Sequence, residues 1–490
     1  MLNPALCLSR FVLIFLSLAL WAQDAGMVLG VSVSYNTQRA TLPLSDEQRA
    51  EAGRLGQEAR QQAQAGKYGE ALRSYHQGMA VMRKVDWTPA LELASSLQGK
   101  VDHAMLEPGG SAAISLAPLY PCERAAKEKL TASVFLLPAT KEPGPEKMLV
   151  SQAPIDPARL PFLLRVTMPD VAAGDYFLEA RLASPDGNLD ARARASSVKR
   201  IPVHVEALPA EVDRLRRRLA RNAPASPSAE YALALYERID RGDTSPHRYD
   251  IRREFAAAHE ILDAIEKGRD PFQDKRGDIR KAYRSAEDQT LQPYRLFLPS
   301  KYDPAKPAPL VVALHGMGGD ENSMFDAYAE GALKREAERL GLLVACPKGR
   351  EPTSMYRGAA ERDVLDVLAE VRRDYRVDPN RIYLMGHSMG GFGTWSIAMN
   401  HPELFAALGP FAGGGNPAGV EKIKHIPQYV VHGDNDKTVS VAQSRAMVEA
   451  AKQAGAKVVY IEVPGGSHID IVVPQFGPML EFFAAQSKPR

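Results

Sequence analysis

The sequence is poor in cysteine and in net charge, and each shortage argues against a class of protein. Cys7, Cys122 and Cys346 are the three cysteines in 490 residues, and no Cys and His cluster has the spacing of metal ligands. Cys122 and Cys346 lie in different predicted regions, so two buried free thiols are favoured, with a disulfide bond in an oxidising compartment as the alternative. A formal net charge of +2 gives no electrostatic reason to expect nucleic acid or an acidic membrane surface as a partner.

A long apolar segment at the N-terminus is also missing. Residues 11–20 form an apolar run after Arg10, but this run is shorter than the roughly 20 residues that a membrane-spanning helix needs. An acceptable small-residue cleavage site follows at residues 20–22, so the pattern predicts a secretory signal peptide over residues 1–22. The mature protein is then expected to be secreted or periplasmic, without stable membrane insertion. A retained N-terminal anchor is the alternative.

The chain length indicates two or three domains, and the first half is largely helical in character. Residues 23–44 show no clear element. Residues 45–100 are predicted to form a helical hairpin, because residues 45–48 resemble a capping box and strong helix formers follow. Residues 208–276 are again helical and are predicted to link the first half of the chain to the second.

Between these helical regions, residues 104–205 have a different sequence pattern. They carry short runs of alternating or branched residues, separated by turn signals such as residues 108–110. This pattern is typical of a small antiparallel β-sandwich. Residues 174–176, at the start of one run, resemble immunoglobulin-like modules, and nothing in the region has the pattern of a catalytic site.

Residues 277–490 alternate between predicted strands and predicted helices. The apolar run at residues 309–314 is continuous, as expected for a strand buried on both faces, and residues 342–347, 429–433 and 457–463 supply further strands. Strands that alternate with helices pair mostly in parallel, with helices on both faces of the sheet. The predicted fold class is therefore α/β, with a mostly parallel sheet preceded by the helical hairpin and the β-sandwich.

The centre of this region is Gly-His-Ser-Met-Gly at residues 386–390, which matches the pattern G-x-S-x-G. An apolar run at residues 382–385 predicts a strand before it, and residues 392–399 predict a helix after it. Strand, sharp turn and helix are the context of a nucleophile elbow, where a strained turn exposes the hydroxyl of Ser388. The flanking glycines leave room for that turn. An ordinary glycine-rich turn is the alternative.

A serine hydroxyl needs a general base within hydrogen-bond reach, and the base needs an acid that orients it. After an elbow of this kind, the acid is expected next along the chain and the histidine last. His468 follows the predicted strand at residues 457–463 and is flanked by glycines. It is the predicted base, and His401, His425 and His432 are its competitors.

Two carboxylates lie just after the predicted strand at residues 429–433 and are candidates for the orienting acid. On spacing alone, Asp434 and Asp436 are nearly equal candidates. Asp470 is a weaker third. Spacing alone does not decide between the first two.

An acyl-transfer site also needs hydrogen-bond donors for the oxyanion. The backbone amide of Met389, directly after the serine, is expected to be one of them. The second is expected in the glycine-rich loop at residues 315–319, where we predict the backbone amide of Met317. The loop does not fit the glycine patterns of phosphate-binding sites.

With these residues assigned, the segment from Leu291 to the C-terminus resembles the α/β-hydrolase superfamily. It is most similar to secreted bacterial esterases of the feruloyl esterase, polyhydroxybutyrate depolymerase and esterase D type. His-Gly-x-x-Asp-x-x-Val at residues 432–439 is similar to the acid turn of many members, which favours Asp436. The resemblance implies hydrolysis of a carboxylic ester through an acyl-enzyme, with neither a metal nor an organic cofactor.

Several alternatives remain open around this interpretation. Tyr356, Arg357 and Trp395 are suggested as substrate-pocket residues, with packing or surface contacts as the alternative role. A serine peptidase of the prolyl oligopeptidase type shares the fold and residue order, although residues 104–205 hold too few strands for a propeller. A binding protein on a hydrolase scaffold is the non-enzymatic alternative. The sequence specifies neither the acyl group, nor the alcohol, nor whether the substrate is polymeric, nor the oligomeric state.

Overall fold

The computed structural model of the protein describes residues 25–125, 127–140, 144–185, 189, 193–223 and 226–489. The signal peptide predicted at residues 1–22 lies outside these residues. No helix within the described ranges is both long enough and apolar enough to cross a membrane.

Four helices open the described chain: α1 (Ala25–Thr41), α2 (Asp46–Gln64), α3 (Tyr68–Met82) and α4 (Pro89–Ser96). A capping box begins α2, since the Ser45 hydroxyl accepts from the Gln48 amide and the Gln48 side chain accepts from the Ser45 amide. These paired bonds satisfy two backbone donors that the start of a helix otherwise leaves without an acceptor. Helices α2 and α3 lie within the region where the sequence predicts a helical hairpin.

Helix α1 corrects the expectation that residues 23–44 hold no clear element. It contains several valines, serines and threonines, which are weak helix formers, so intrinsic propensity does not predict it. The helix is stabilised by packing instead. Tyr35 is fully buried, and its hydroxyl donates to the carbonyl of Ala52 in α2 over 2.5 Å.

Two sheets follow and share one core. The first has the order β1–β3–β6, with β1 (Leu97–Val101), β3 (Ser111–Pro118) and β6 (Phe162–Thr167). The second has the order β2–β8–β7–β4–β5, with β2 (Met105–Leu106), β4 (Leu130–Pro138), β5 (Lys147–Ile155), β7 (Gly174–Ala183) and β8 (Val198–Val205). Ile114 of the first sheet and Val134 of the second belong to one buried cluster. The immunoglobulin-like character of this region stays a prediction.

Helices return after the sheets and connect the two halves of the chain. A short helix, α5 (Arg194–Ser197), precedes β8, and α6 (Pro209–Arg221), α7 (Pro227–Asp240) and α8 (Ile251–Glu266) follow it. The buried faces of the last three helices share a core with Ala282, which belongs to the first strand of the second half. The linking helices are therefore packed against the region that they introduce.

The second half is built on an eight-stranded sheet with the order β16–β15–β14–β13–β11–β12–β10–β9. Its strands are β9 (Gly277–Arg284), β10 (Leu291–Leu298), β11 (Ala308–Leu314), β12 (Leu343–Pro347), β13 (Val377–His387), β14 (Ala407–Phe411), β15 (Gln428–Gly433) and β16 (Val458–Val463). Strand β10 pairs antiparallel with β9 and β12, whereas the pairings from β12 to β16 are parallel. The predicted mostly parallel sheet is confirmed.

Helices cover both faces of this sheet: α9 (Ser323–Asp326), α10 (Ala332–Leu340), α11 (Ala359–Asp374), α12 (Met389–Asn400), α13 (Val441–Gln453) and α14 (Val472–Ala484). Along β11, Leu310 and Val312 belong to one buried cluster and Val311 to the other. Both faces are therefore buried, as the continuous apolar run predicts. Parallel strands end at a common edge, where the loops that follow them meet and ligands bind.

Candidate active site

Ser388 occupies the sharp turn between β13 and α12. Its backbone has φ 56° and ψ −116°, a conformation that side-chain-bearing residues rarely adopt. A Cβ atom on Gly390 would lie 2.2 Å from the carbonyl oxygen of Leu314, and one on Gly386 would lie 2.4 Å from that of Gly390. Since backbone cannot yield to such contacts, both positions need glycine. The turn has the form that a nucleophile elbow requires.

The structure brings Ser388, His468 and Asp436 together. Nε2 of His468 lies 2.9 Å from Oγ of Ser388, and Nδ1 of His468 lies 2.6 Å from Oδ2 of Asp436. The three residues lie in the loops that follow β13, β15 and β16. These strands are parallel and end at the same edge of the sheet. Both distances are those of hydrogen bonds. The arrangement can pass the serine proton to the imidazole while the carboxylate stabilises the imidazolium.

The carboxylate of Asp436 is buried and fully hydrogen-bonded. Its Oδ1 accepts from the amides of Thr438 and Val439 at 2.7 and 2.9 Å, while Oδ2 faces His468. Burial alone would raise the pKa of Asp436, but the hydrogen bonds from His432 and His468 outweigh it and hold the pKa well below its usual range. The group is therefore ionised at neutral pH.

The competing carboxylates and histidines have other partners. Asp434 accepts from the amide of Gly465 at 2.7 Å, and Asp470 accepts from that of Ser467 at 2.8 Å, so both brace the loop that carries His468. His401 lies against Glu361, and His425 lies against the carbonyl of Pro402. His432 Nε2 lies 3.0 Å from the carbonyl of Val439 and 3.3 Å from Oδ2 of Asp436, so His432 supports the acid instead of facing Ser388.

His387 is a site residue that the sequence reasoning missed. Its Nε2 lies 2.8 Å from the carbonyl oxygen of His468, and its Nδ1 lies 2.8 Å from the hydroxyl of Tyr328. Burial, reinforced by the nearby imidazole of His468, lowers the pKa of His387 to about 3. A neutral ring satisfies both contacts if Nε2–H donates to the carbonyl and Nδ1 accepts from Tyr328. His387 therefore holds the backbone of His468 in place through this hydrogen bond.

The two residues whose amides are predicted to bind the oxyanion, Met317 and Met389, both line the cavity above Ser388. Met389 is the first residue of α12, so its amide N–H has no acceptor within the helix and lies at the positive end of the helix dipole. The Met317 loop is tethered from the linking region, because the Arg248 guanidinium donates to the carbonyl of Gly318 at 2.7 Å. This tether was not foreseen from the sequence.

The cavity above Ser388 has a volume of about 500 Å³. Tyr356, Arg357 and Trp395 are not among its lining residues, which corrects the suggested position of Tyr356 and Trp395. A substrate contact for Arg357 stays a prediction. Tyr356 and Trp395 are buried in the core below the elbow, where the Trp395 indole donates to Gln428 at 2.9 Å. Arg357 lines a neighbouring depression that shares Met355 and Phe392 with this cavity. A cluster of three or more His, Cys, Asp or Glu side chains placed to hold a metal is not found among the described residues.

Comparison with known proteins places this site in a family context. Residues 289–467 match the family described as "Putative esterase". The chain is 30% identical over 154 residues to the bifunctional acetylxylan esterase/xylanase XynS20E of Neocallimastix patriciarum, covering 30% of this chain and 22% of that protein. It is 33% identical over 138 residues to the putative esterase NocK of Nocardia uniformis subsp. tsuyamanensis, covering 26% of this chain and 40% of that protein.

A third relative and one solved structure extend the comparison. The probable feruloyl esterase C of Aspergillus flavus is 26% identical over 187 residues, which cover 36% of this chain and 68% of that protein. The crystal structure of a thermostable esterase aligns with 80% of this chain and 100% of its own length, at 19% identity and a TM-score of 0.39. The chain spans less than half the length of the first two relatives.

The sheet, the elbow and the helices on both faces define the second half of the chain as an α/β-hydrolase domain. Within this domain, residues 289–467 match an esterase family, so this part of the chain is similar to esterases. The resemblance expected from the sequence is confirmed at this level.

We expect His387 to remain neutral between about pH 8 and pH 5, because burial lowers its pKa from 6.5 to about 3. Its folded-state pKa lies below the unfolded one, so its contribution to stability is present above pH 6.5 and declines as the pH falls toward 3. NMR spectra of ¹⁵N-histidine-labelled protein, assigned with a His387→Gln variant, should show the ring nitrogens of a neutral tautomer throughout. A titration with a midpoint near 6.5 would contradict this assignment.

Proposed function

We propose that this protein is a secreted carboxylic ester hydrolase that works through an acyl-enzyme on Ser388. The observation that carries the proposal is the continuous chain of hydrogen bonds from Ser388 through His468 to Asp436. The match of residues 289–467 to an esterase family supports the ester as the bond that is cleaved. The signal peptide proposed at residues 1–22 would direct the mature protein out of the cytoplasm.

Acylation begins when His468 Nε2 takes the proton of Ser388 as Oγ attacks the carbonyl carbon of the ester. The negative charge that develops on the carbonyl oxygen is stabilised by the amides of Met317 and Met389, and each such donor is typically worth about 3 kcal/mol of the barrier. As the intermediate collapses, the bond from carbon to the alkoxy oxygen breaks. The alcohol leaves with the proton that His468 returns, and the acyl group stays on Ser388.

Deacylation repeats these steps with water as the nucleophile. His468 takes a proton from water as its oxygen attacks the acyl carbon, and it then protonates Ser388 Oγ as the carboxylic acid departs. Asp436 stays ionised throughout, holding Nδ1–H of His468 so that Nε2 faces the serine. The depressed pKa of Asp436 supports this role.

A panel of p-nitrophenyl esters and peptide p-nitroanilides, assayed with the mature protein, tests whether the protein cleaves esters or amides. We expect turnover of esters, and we expect Ser388→Ala to lower kcat by roughly 10⁴- to 10⁶-fold because it removes the nucleophile. The thermal unfolding curve of this variant should stay close to that of the wild type. Hydrolysis confined to the amides would favour the prolyl oligopeptidase-type peptidase, and no turnover of either class would favour a binding protein.

The choice of acid is tested with the matched pair Asp436→Asn and Asp434→Asn, which remove the same charge two residues apart. We expect the first to lower kcat by roughly 10⁴-fold, because an amide at this position selects the wrong tautomer of the base. The second should retain activity within a few-fold, since Asp434 bonds to the loop backbone at Gly465. Equal losses in the two variants would reject Asp436 as the orienting acid.

A further inference from the structure

The cavity above Ser388 has one wall from a distant part of the chain. Leu29 and Val33 of helix α1 line it, together with residues of the second half such as Phe392 and Ile469. Leu29 and Val33 are four positions apart, so they lie on the same face of the helix. Helix α1 therefore faces the candidate nucleophile, although it lies far before it in the sequence.

Helix α1 is held firmly in this position by Tyr35. The tyrosine is fully buried, and its ring lies 4.9 Å from the ring of Tyr75, measured between centroids. The ring fits against Gly56 and Gly78, where a Cβ atom would lie 2.9 Å and 2.3 Å from its atoms. Gly56 and Gly78 leave the space that the Tyr35 ring occupies, and a side chain at either position would collide with the ring. Helix α1, which forms one wall of the cavity above Ser388, is therefore fixed against α2 and α3.

The face of α1 that meets the cavity is distinct from the face that packs on the other helices. Val28 is buried in the core shared with α2 and α3, and Val31 packs against that core. Leu29 and Val33 are half-buried and are directed to the cavity instead. Ile469, next to His468, is 56% exposed at the same cavity. Apolar side chains gathered at an opening indicate a surface for an apolar ligand.

The chemistry of the lining agrees with an apolar ligand. Among the described residues that line the cavity there is no Asp, Glu, Lys or Arg. A volume of about 500 Å³ falls within the range of small-molecule sites and far exceeds what an acetyl group fills. The polar side chains of the lining include Ser388 and His468, which form the reacting end of the cavity. The reacting carbonyl would be held at this end, while the rest of the ester extends toward α1.

We propose that α1 is the outer wall of the ester pocket and that Leu29 and Val33 are specificity-determining residues that select esters with an extended apolar group. This inference rests on the proposed function, since it assigns the substrate class of the same site. Leu29 and Val33 contact the apolar group of the bound ester and not its reacting carbonyl. Truncating either residue therefore weakens the binding of a long apolar group and leaves the attack by Ser388 intact.

The test compares three esters in a pH-stat assay: methyl acetate, methyl octanoate and octyl acetate. Leu29→Ala and Val33→Ala should lower kcat/KM at least about fivefold, through KM, for methyl octanoate or for octyl acetate, and the affected ester shows whether the acyl or the alcohol side meets α1. Methyl acetate should change by less than about twofold in both variants, because it does not reach the wall.

Val31→Ala is the matched control, because it makes the same truncation on the same helix at a residue that packs on α2 and α3. We expect it to change kcat/KM for the three esters by less than about twofold. Equal effects of Val31→Ala and Val33→Ala, or equal losses on methyl acetate and the octyl-bearing esters, would overturn the wall assignment while leaving ester hydrolysis intact. A wild-type protein that hydrolyses none of the three would overturn the proposed function and this inference together.

Discussion

The close approach of α12 to the end of β11 is the constraint on which the site depends. The backbone at Gly390 passes so near the carbonyl of Leu314 that a Cβ atom would lie 2.2 Å from its oxygen. The helix can begin directly after the elbow only because glycine stands there. The same approach holds Ser388 at φ 56°, a strained value that persists because the packed sheet around it determines the backbone path. The hydroxyl is then left at the end of the sheet, where His468 reaches it.

Near this turn, the structure keeps one titratable side chain, Asp436, ionised and another, His387, neutral. Asp436 is kept ionised by the hydrogen bonds that it accepts, whereas burial keeps His387 neutral, although its ring lies 4.7 Å from that of His468 between centroids. A second charged imidazole so close would oppose protonation of His468 during turnover. The pair Asp436 and His387 therefore favours a single imidazolium, at His468, the proposed base.

Local patterns in the sequence were enough to predict the elbow, the mostly parallel sheet and the residues that the structure gathers at its edge. The motif at residues 386–390 is local, and chain order indicates His468 as well as Asp434 or Asp436 once a parallel sheet is assumed. The preference for Asp436 over Asp434 comes from the resemblance at residues 432–439. What could not be predicted depends on long-range packing. Helix α1 forms because Tyr35 enters a slot made by α2 and α3, and no local propensity records that contact.

The same limit explains the side chains that were misplaced or missed. Tyr356 and Trp395 lie near the motif in sequence, but nothing in a local pattern tells whether an aromatic ring faces the cavity or the core, and both are buried. His387 contacts the carbonyl of a residue 81 positions later, and Arg248 holds a loop 70 positions later. These contacts depend on how loops and domains meet, which a single sequence leaves undetermined.

The central claim is that His468 activates Ser388 for attack on a carbonyl. It is tested most directly by the rate at which a fluorophosphonate modifies the folded protein, with the modified residue identified by peptide mass spectrometry. Modification of Ser388 alone is predicted, at a rate that falls at least roughly 10³-fold in His468→Gln. Equal rates in the two proteins, or modification at another residue, would contradict the claim.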